Sequence, residues 1–207
     1  MNLENRPVPD NGGNWGILGG TFDPVHFGHI NLALEIKNKK QLDGVIFIPS
    51  INHPCKEPAC YESYEDRVRM LEISLKDYSE FIISKIESEQ ELSGYTFDTI
   101  TALKQKYTKA NYYFIVGSDN VSQLSTWYNA EQLLESVKFL VGTRPGFKFE
   151  LPNGFSGDNI EFIETSVVKS SSTYIRKLIK GEADSEIIDK FIPLEVRNYI
   201  KERKLYQ

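Results

Sequence analysis

Six short apolar runs separated by segments of helical pattern constrain this chain more than any other feature. Trp15–Leu18, Val45–Ile48, Phe81–Lys85, Tyr112–Val116, Lys138–Val141 and Ile160–Ile163 each read as a buried strand. Between them, Ile30–Lys37, Tyr64–Lys76, Thr96–Tyr107 and Ala130–Ser136 carry apolar residues at helical spacing. This alternation predicts βαβ units, and hence an α/β fold with a mainly parallel sheet covered on both faces. Beyond Ser170 the pattern turns helical, ending with Leu194–Leu205. Ligands of such sheets bind beyond the carboxyl ends of the strands.

The polar clusters fall where that rule wants them. After the first strand comes Gly19-Gly20-Thr21-Phe22-Asp23-Pro24-Val25-His26-Phe27-Gly28-His29. Gly19 and Gly20 carry no Cβ, so the chain can turn sharply there and phosphates can approach the backbone. Gly28 and His29 fall in the first turn of the following helix, where N–H groups and the dipole favour an anion. A Gly-Gly pair alone reads as a turn, and a lone histidine as a solvated or structural residue. Here two of the chain's three histidines share one turn beside the glycines, which points to a polyphosphate site. Neither a Walker loop nor Gly-x-Gly-x-x-Gly is present.

A second cluster, Ser170-Ser171-Ser172-Thr173-Tyr174-Ile175-Arg176, opens a helix near the C-terminus. Its hydroxyls suit helix caps. Arg176 lies four residues after Ser172 and three after Thr173, on the same face. Helical side chains lean towards the N-terminus, so its guanidinium can reach the rim and bind phosphate with a fork of donors.

Length and charge narrow the classes. At 207 residues the chain suits a single domain, residues 1–207, with 1–13 as a polar extension and 170–207 as a small helical part completing the nucleotide site. Such a domain buries roughly 70% of its unfolded surface and needs no disulfide or structural metal. A net charge of −5 argues against a general nucleic-acid or membrane surface. No signal peptide or membrane-length run is seen, and Cys55 and Cys60 read as thiols, so a cytoplasmic location is expected. His53, Cys55 and Cys60 lack a fourth ligand for structural zinc, and no protein metal site is assigned.

His26-Phe27-Gly28-His29 resembles the signature of the nucleotidylyltransferase superfamily. The longer Gly-Gly-Thr-Phe-Asp-Pro-x-His-x-Gly-His resembles the bacterial nicotinate-mononucleotide adenylyltransferases. Ser171–Arg176 matches that family's Ile-Ser-Ser-Thr-x-Ile-Arg segment, with Ser170 in place of the isoleucine, a change that loses apolar packing before the cap. The resemblance implies a Rossmann-like, doubly wound nucleotidylyltransferase fold. It also implies transfer of the adenylyl group of ATP to nicotinate mononucleotide, with Mg2+ arriving on the ATP. His26, His29 and Arg176 become the catalytic group. Gly19, Gly20, Thr21, Phe22, Gly28, Lys56, Ser171, Ser172 and Thr173 complete the ATP site.

Weaker motifs extend the resemblance to the acceptor. Ser93–Ile100 resembles a Ser-Tyr-Thr-x-Asp-Thr-Leu element, assigning Tyr95 and Thr96 to the acceptor; it equally reads as a capped helix with Thr96 as the cap. Gly117-Ser118-Asp119 with Trp127-Tyr128 resembles the element around the nicotinate nucleotide. Both aromatics could instead be core residues, although Ser125, Thr126 and Asn129 flank them. Arg144 follows the fifth strand and could serve the acceptor's phosphate or make a turn. One departure is His53-Pro54-Cys55-Lys56, where the family has Pro-Pro-His-Lys.

Such a transfer needs no protein nucleophile, because the acceptor phosphate is already anionic and the enzyme supplies positioning and charge stabilisation. The dipole at the helix start disfavours a positive His29, whereas a triphosphate favours it. Related transferases acting on nicotinamide mononucleotide or phosphopantetheine are the near alternatives, and a nucleotide sensor without turnover the distant one. A class I aminoacyl-tRNA synthetase shares the His-x-Gly-His turn, but would need a Lys-Met-Ser-Lys-Ser-like loop that this chain lacks.

Overall fold

The computed structural model describes residues 9–51, 61–121, 123–144, 146, 157–166 and 170–207. Its strands are β1 (Gly13–Gly20), β2 (Gly44–Pro49), β3 (Phe81–Ile83), β4 (Ala110–Gly117), β5 (Lys138–Thr143) and β6 (Ile160–Glu164). They form one sheet in the order β3-β2-β1-β4-β5-β6, with each pairing parallel. Buried at each of its six positions, β2 shows no alternation, as a strand covered on both faces requires.

The helices are α1 (Phe27–Lys40), α2 (Tyr64–Ser74), α3 (Ile86–Glu89), α4 (Thr96–Lys106), α5 (Ser118–Val121), α6 (Ala130–Ser136), α7 (Ser172–Lys180), α8 (Ser185–Ile188) and α9 (Leu194–Arg203). Two cores separate across the sheet. Leu18, Val45, Phe47, Ile115 and Leu140 pack on one face with Ile30 and Ile36 of α1, Met70 of α2, Ile175 of α7 and Val196 of α9. Trp15, Ile17, Ile46, Ile48 and Phe114 pack on the other with Ile100 and Leu103 of α4 and Leu133 of α6. The doubly wound expectation is met, and this strand order reverses direction between β1 and β4. There the connections leave on opposite faces and open a crevice beyond the strand ends.

Element ends shift by a few residues from those expected, and the shifts at β1 matter most. The polar N-terminal stretch does not run to residue 13, because Pro9–Asn11 forms a 3-10 turn with Pro9 buried and Gly13 already pairs with Ala110 in β1. Trp15 anchors that start by donating from Nε1 to the Gly12 carbonyl at 2.9 Å. Gly19 and Gly20 do not make the turn but finish β1 in register with Ile48 and Pro49. The turn falls on Phe22, at φ +50°, a conformation most side chains avoid. Its ring repays that strain by packing in the core 5.8 Å from Phe47.

Candidate active site

A cleft of about 980 Å³ opens beyond the carboxyl ends of β1 and β4. That is at the upper end of the ~300–1,000 Å³ usual for small-ligand sites. Its walls include Gly19, Gly20 and Thr21 from the end of β1, and His26, Gly28 and His29 from the start of α1. Across from them lie Ser170–Thr173 and Arg176 at α7, and Tyr95, Thr96, Asp119, Trp127, Tyr128 and Arg144 complete the boundary. Bare glycine at 19 and 20 leaves the floor next to β1 without side chains.

His26 is the N-cap of α1, in extended backbone, and is 6% exposed. Its N–H donates to His29 Nδ1 at 3.3 Å, and the two imidazoles stack with centroids 3.7 Å apart. Burial lowers the His26 pKa to about 4, so the ring is uncharged at neutral pH. Ser170 Oγ lies 3.1 Å from His26 Nδ1. The serine that departs from the family pattern therefore gives this buried imidazole a polar partner, beyond the loss of packing expected. Two N–H groups of the first turn are already committed: Phe27 donates to the Phe191 carbonyl at 2.8 Å and His29 to the His26 carbonyl at 2.9 Å. The anion-binding role expected of this helix start narrows to Gly28 and the imidazoles.

The opposite rim begins at Ser171, the N-cap of α7, whose hydroxyl accepts from the Tyr174 N–H at 3.2 Å. Ser172 Oγ donates to the Pro24 carbonyl at 2.9 Å, tying this helix to the loop before α1. Arg176 bridges the same two segments. It donates from one nitrogen to the Asp23 carbonyl at 2.6 Å and from another to Thr173 Oγ1 at 3.1 Å, and its plane lies 4.0 Å from the Tyr61 ring centroid. The capping and phosphate-facing readings of this cluster are thus compatible.

Along the remaining wall, Tyr95 and Tyr128 pack at 4.7 Å, and Trp127 meets Phe114 edge to face at 6.0 Å. Trp127 is both a partial core residue and a wall of the cleft. Thr96 is not the cap of α4; Tyr95 holds that position, and Ser93 Oγ accepts its N–H at 3.1 Å. Phe22, expected at the ATP site, is only 1% exposed and does not line the cleft. It acts from behind, with its ring edge-on to His29 at 5.0 Å. Lys56, with His53, Cys55 and Cys60, lies outside the described residues.

Several residues escaped the sequence reading. Arg67, 1% exposed, donates to the Thr21 carbonyl at 2.7 Å and braces the loop from behind. Glu87, 4% exposed, accepts from Thr99 Oγ1 at 2.7 Å and from the Ile51 N–H at 3.0 Å. Burial raises its pKa, and these two donors partly pull it back. Asp23 is buried with one carboxylate oxygen on the Tyr61 N–H at 2.6 Å and the other on the Tyr206 hydroxyl at 2.7 Å. A buried carboxylate needs such donors.

A Rossmann-like sheet with an imidazole pair and a helix start at its switch point defines a nucleotide-handling α/β protein. Residues 17–178 match the family described as cytidylyltransferase-like. A nicotinate-nucleotide adenylyltransferase of Bacillus subtilis is 35% identical over 192 residues, covering 93% of this chain and 97% of its own. A Bacillus licheniformis relative is 36% identical over the same span and coverage. Among solved structures, the Plasmodium falciparum nicotinic acid mononucleotide adenylyltransferase complexed with NaAD superposes with a TM-score of 0.78 at 23% identity, covering 93% of this chain and 97% of its own. That likeness bears on the fold. Within the cytidylyltransferase-like class, this chain belongs to the nicotinate-nucleotide adenylyltransferase family.

Proposed function

We propose that this protein transfers the adenylyl group of ATP to nicotinate mononucleotide, giving nicotinate adenine dinucleotide and pyrophosphate in NAD biosynthesis. One observation carries the reading: His26, His29 and Arg176 line a single cleft whose other wall is aromatic and polar. It is supported by relatives of that name over nearly the whole chain. In this reading one catalytic domain acts in the cytosol, with residues 170–207 completing the ATP site.

An oxygen of the acceptor's 5′-phosphate attacks the α-phosphorus of ATP in line. The new phosphorus–oxygen bond forms as the bond from the α-phosphorus to the α–β bridging oxygen breaks, and the electron pair leaves with pyrophosphate. His29 donates from Nε2 to an α-phosphate oxygen, because its Nδ1 already accepts from His26. His26 stays neutral and stacks beneath it. Arg176 and the Ser171–Thr173 turn hold the departing phosphates with a fork of donors and helix N–H groups. Tyr95, Thr96, Asp119, Trp127, Tyr128 and Arg144 hold the acceptor. Preorganised donors of this kind supply most of the rate.

Among the described residues no cluster of three metal-competent side chains exists. The buried carboxylates Asp23 and Glu87 have both oxygens engaged by protein donors. These residues do not build a protein metal site, and Mg2+ in this reading is held by the ATP phosphates, as that hard cation favours. No helix among the described residues is long and apolar enough to cross a membrane.

The test is pyrophosphate release from ATP with each of three acceptors. Release dependent on nicotinate mononucleotide is expected. A wide preference for nicotinamide mononucleotide or phosphopantetheine overturns the choice of acceptor, and nucleotide binding without release overturns the transfer itself.

A further inference from the structure

The far end of the chain reaches the nucleotide site. Tyr206, the penultimate residue, is 8% exposed and sits at φ +64°, beyond the end of α9. Its hydroxyl donates to Asp23 Oδ1 at 2.7 Å, and its N–H donates to Glu62 Oε1 at 2.6 Å. A buried tyrosine in the left-handed region, tied by both its hydroxyl and its N–H, is an ordered feature. Asp23 is the node that it meets. The remaining carboxylate oxygen of Asp23 takes the Tyr61 N–H, and its carbonyl takes the Arg176 guanidinium.

These bonds connect in one direction of dependence. Arg176 is held at the cleft by the Asp23 carbonyl, by Thr173 and by the face of Tyr61. Two of those three supports hang on the Asp23 carboxylate, which fixes its own peptide and the Tyr61 backbone. Asp23 is 2% exposed, so its carboxylate keeps this place only while buried donors satisfy it. Tyr206 supplies one of the two. Burial and the neighbouring Asp23 push the phenol pKa upward, which keeps the hydroxyl a donor.

We propose that Tyr206 is a positioning residue for Arg176: through Asp23 it sets where the guanidinium presents itself to the phosphates of ATP. The C-terminal residues are thereby part of the nucleotide site, although they do not touch the cleft. The statement rests on the role given to Arg176 above.

A double-mutant cycle of Tyr206→Phe and Arg176→Ala tests it. It is read both as ATP affinity by titration calorimetry and as acceptor-dependent pyrophosphate release. Tyr206→Phe alone is expected to weaken ATP binding on the order of 10-fold, as for loss of a hydrogen bond to a charged group. The KM for nicotinate mononucleotide stays within about twofold, since its side of the cleft hangs on other elements. In the Arg176→Ala background the same change costs under about twofold, because the two residues act as one unit.

An equal loss in both backgrounds, or loss of both substrates alike, makes Tyr206 a residue of the fold and overturns the proposal. Should Tyr206→Phe fail to fold, Asp23→Asn carries the same comparison, with the same selective loss of ATP expected and the same overturning result. Coupling in ATP affinity without pyrophosphate release from the unaltered protein would remove the proposed reaction but leave the positioning role standing.

Discussion

His26 and His29 stack with ring centroids 3.7 Å apart and planes 20° from parallel, while the His26 backbone N–H donates to His29 Nδ1 at 3.3 Å. A backbone N–H can only be received by an unprotonated nitrogen, so the proton of His29 sits on Nε2. The pair combines a buried, neutral imidazole with a partly exposed one at the cleft.

The first consequence concerns that donor. His29→Ala is expected to keep the fold, because the residue is partly exposed in the first turn of α1. Turnover falls by ~100 to 1000-fold, as for loss of one preorganised donor to developing charge. Steady-state kinetics with circular dichroism as a control measure it. Turnover within a few-fold of normal would show that the α-phosphate is handled elsewhere.

The second concerns pH and His26. Its folded pKa is about 4 against an ordinary 6.5. Between those values the unfolded chain binds a proton that the native protein refuses, so stability drops as pH falls from 6.5 to 4 and then levels. The contribution is on the order of 3 kcal/mol across the window. Glu62 and Glu87, both shifted upward, work in the opposite sense, losing stability as pH rises through their raised values. The comparison is therefore between proteins: His26→Asn should flatten the acid limb of Tm against pH relative to wild type. Parallel curves would contradict the burial argument.

Gly28 tests how tightly the imidazole is packed. A Cβ there would sit 2.8 Å from Ser170 Oγ and 2.9 Å from the His26 ring, closer than such atoms approach. Gly28→Ala should lower turnover by at least about 10-fold through displacement of His26, since ~1 Å of misplacement can cost that or more. Helix propensity alone predicts the opposite sign for stability, a gain of up to ~1 kcal/mol. Kinetics and melting on one preparation separate the two, and undiminished turnover refutes the packing.

Glu87 ties α3 to α4 and to the segment after β2. Glu87→Ala leaves the Ile51 N–H without its acceptor and the Thr99 hydroxyl with only the Tyr95 carbonyl, and should lower stability by about 2 kcal/mol, roughly 4–8 °C in Tm. Glu87→Gln keeps an acceptor and should lose less than half of that. Equal losses in the two variants would point to the charge itself.

The layered fold was legible because strand runs such as Val45–Ile48 lack alternation, and helices such as Ala130–Ser136 carry one apolar stripe. Both are local patterns. The imidazole pair and Arg176 were legible as short motifs at helix starts. The role of Gly19 and Gly20 was misread as turning, because sequence spacing does not say where a strand stops pairing. Of the two readings of Thr96, the cap fails, since Tyr95 in extended backbone takes that place and Ser93 satisfies its N–H. Phe22 sat inside the motif but faces the core, a matter of side-chain direction that the motif does not encode. Asp23 with Tyr206, and Glu87 with Thr99, were illegible for a different reason: each is a buried polar pairing made by the tertiary fold, the first across 183 positions.

A crystal structure with ATP bound would show whether His29 and Arg176 hold one triphosphate. The expected result is an α-phosphate oxygen about 2.7–3.2 Å from His29 Nε2, with Arg176 and the Ser171–Thr173 turn on the β- and γ-phosphates of the same molecule. A triphosphate lying outside this cleft, or one that meets His29 while Arg176 faces only protein, would contradict it.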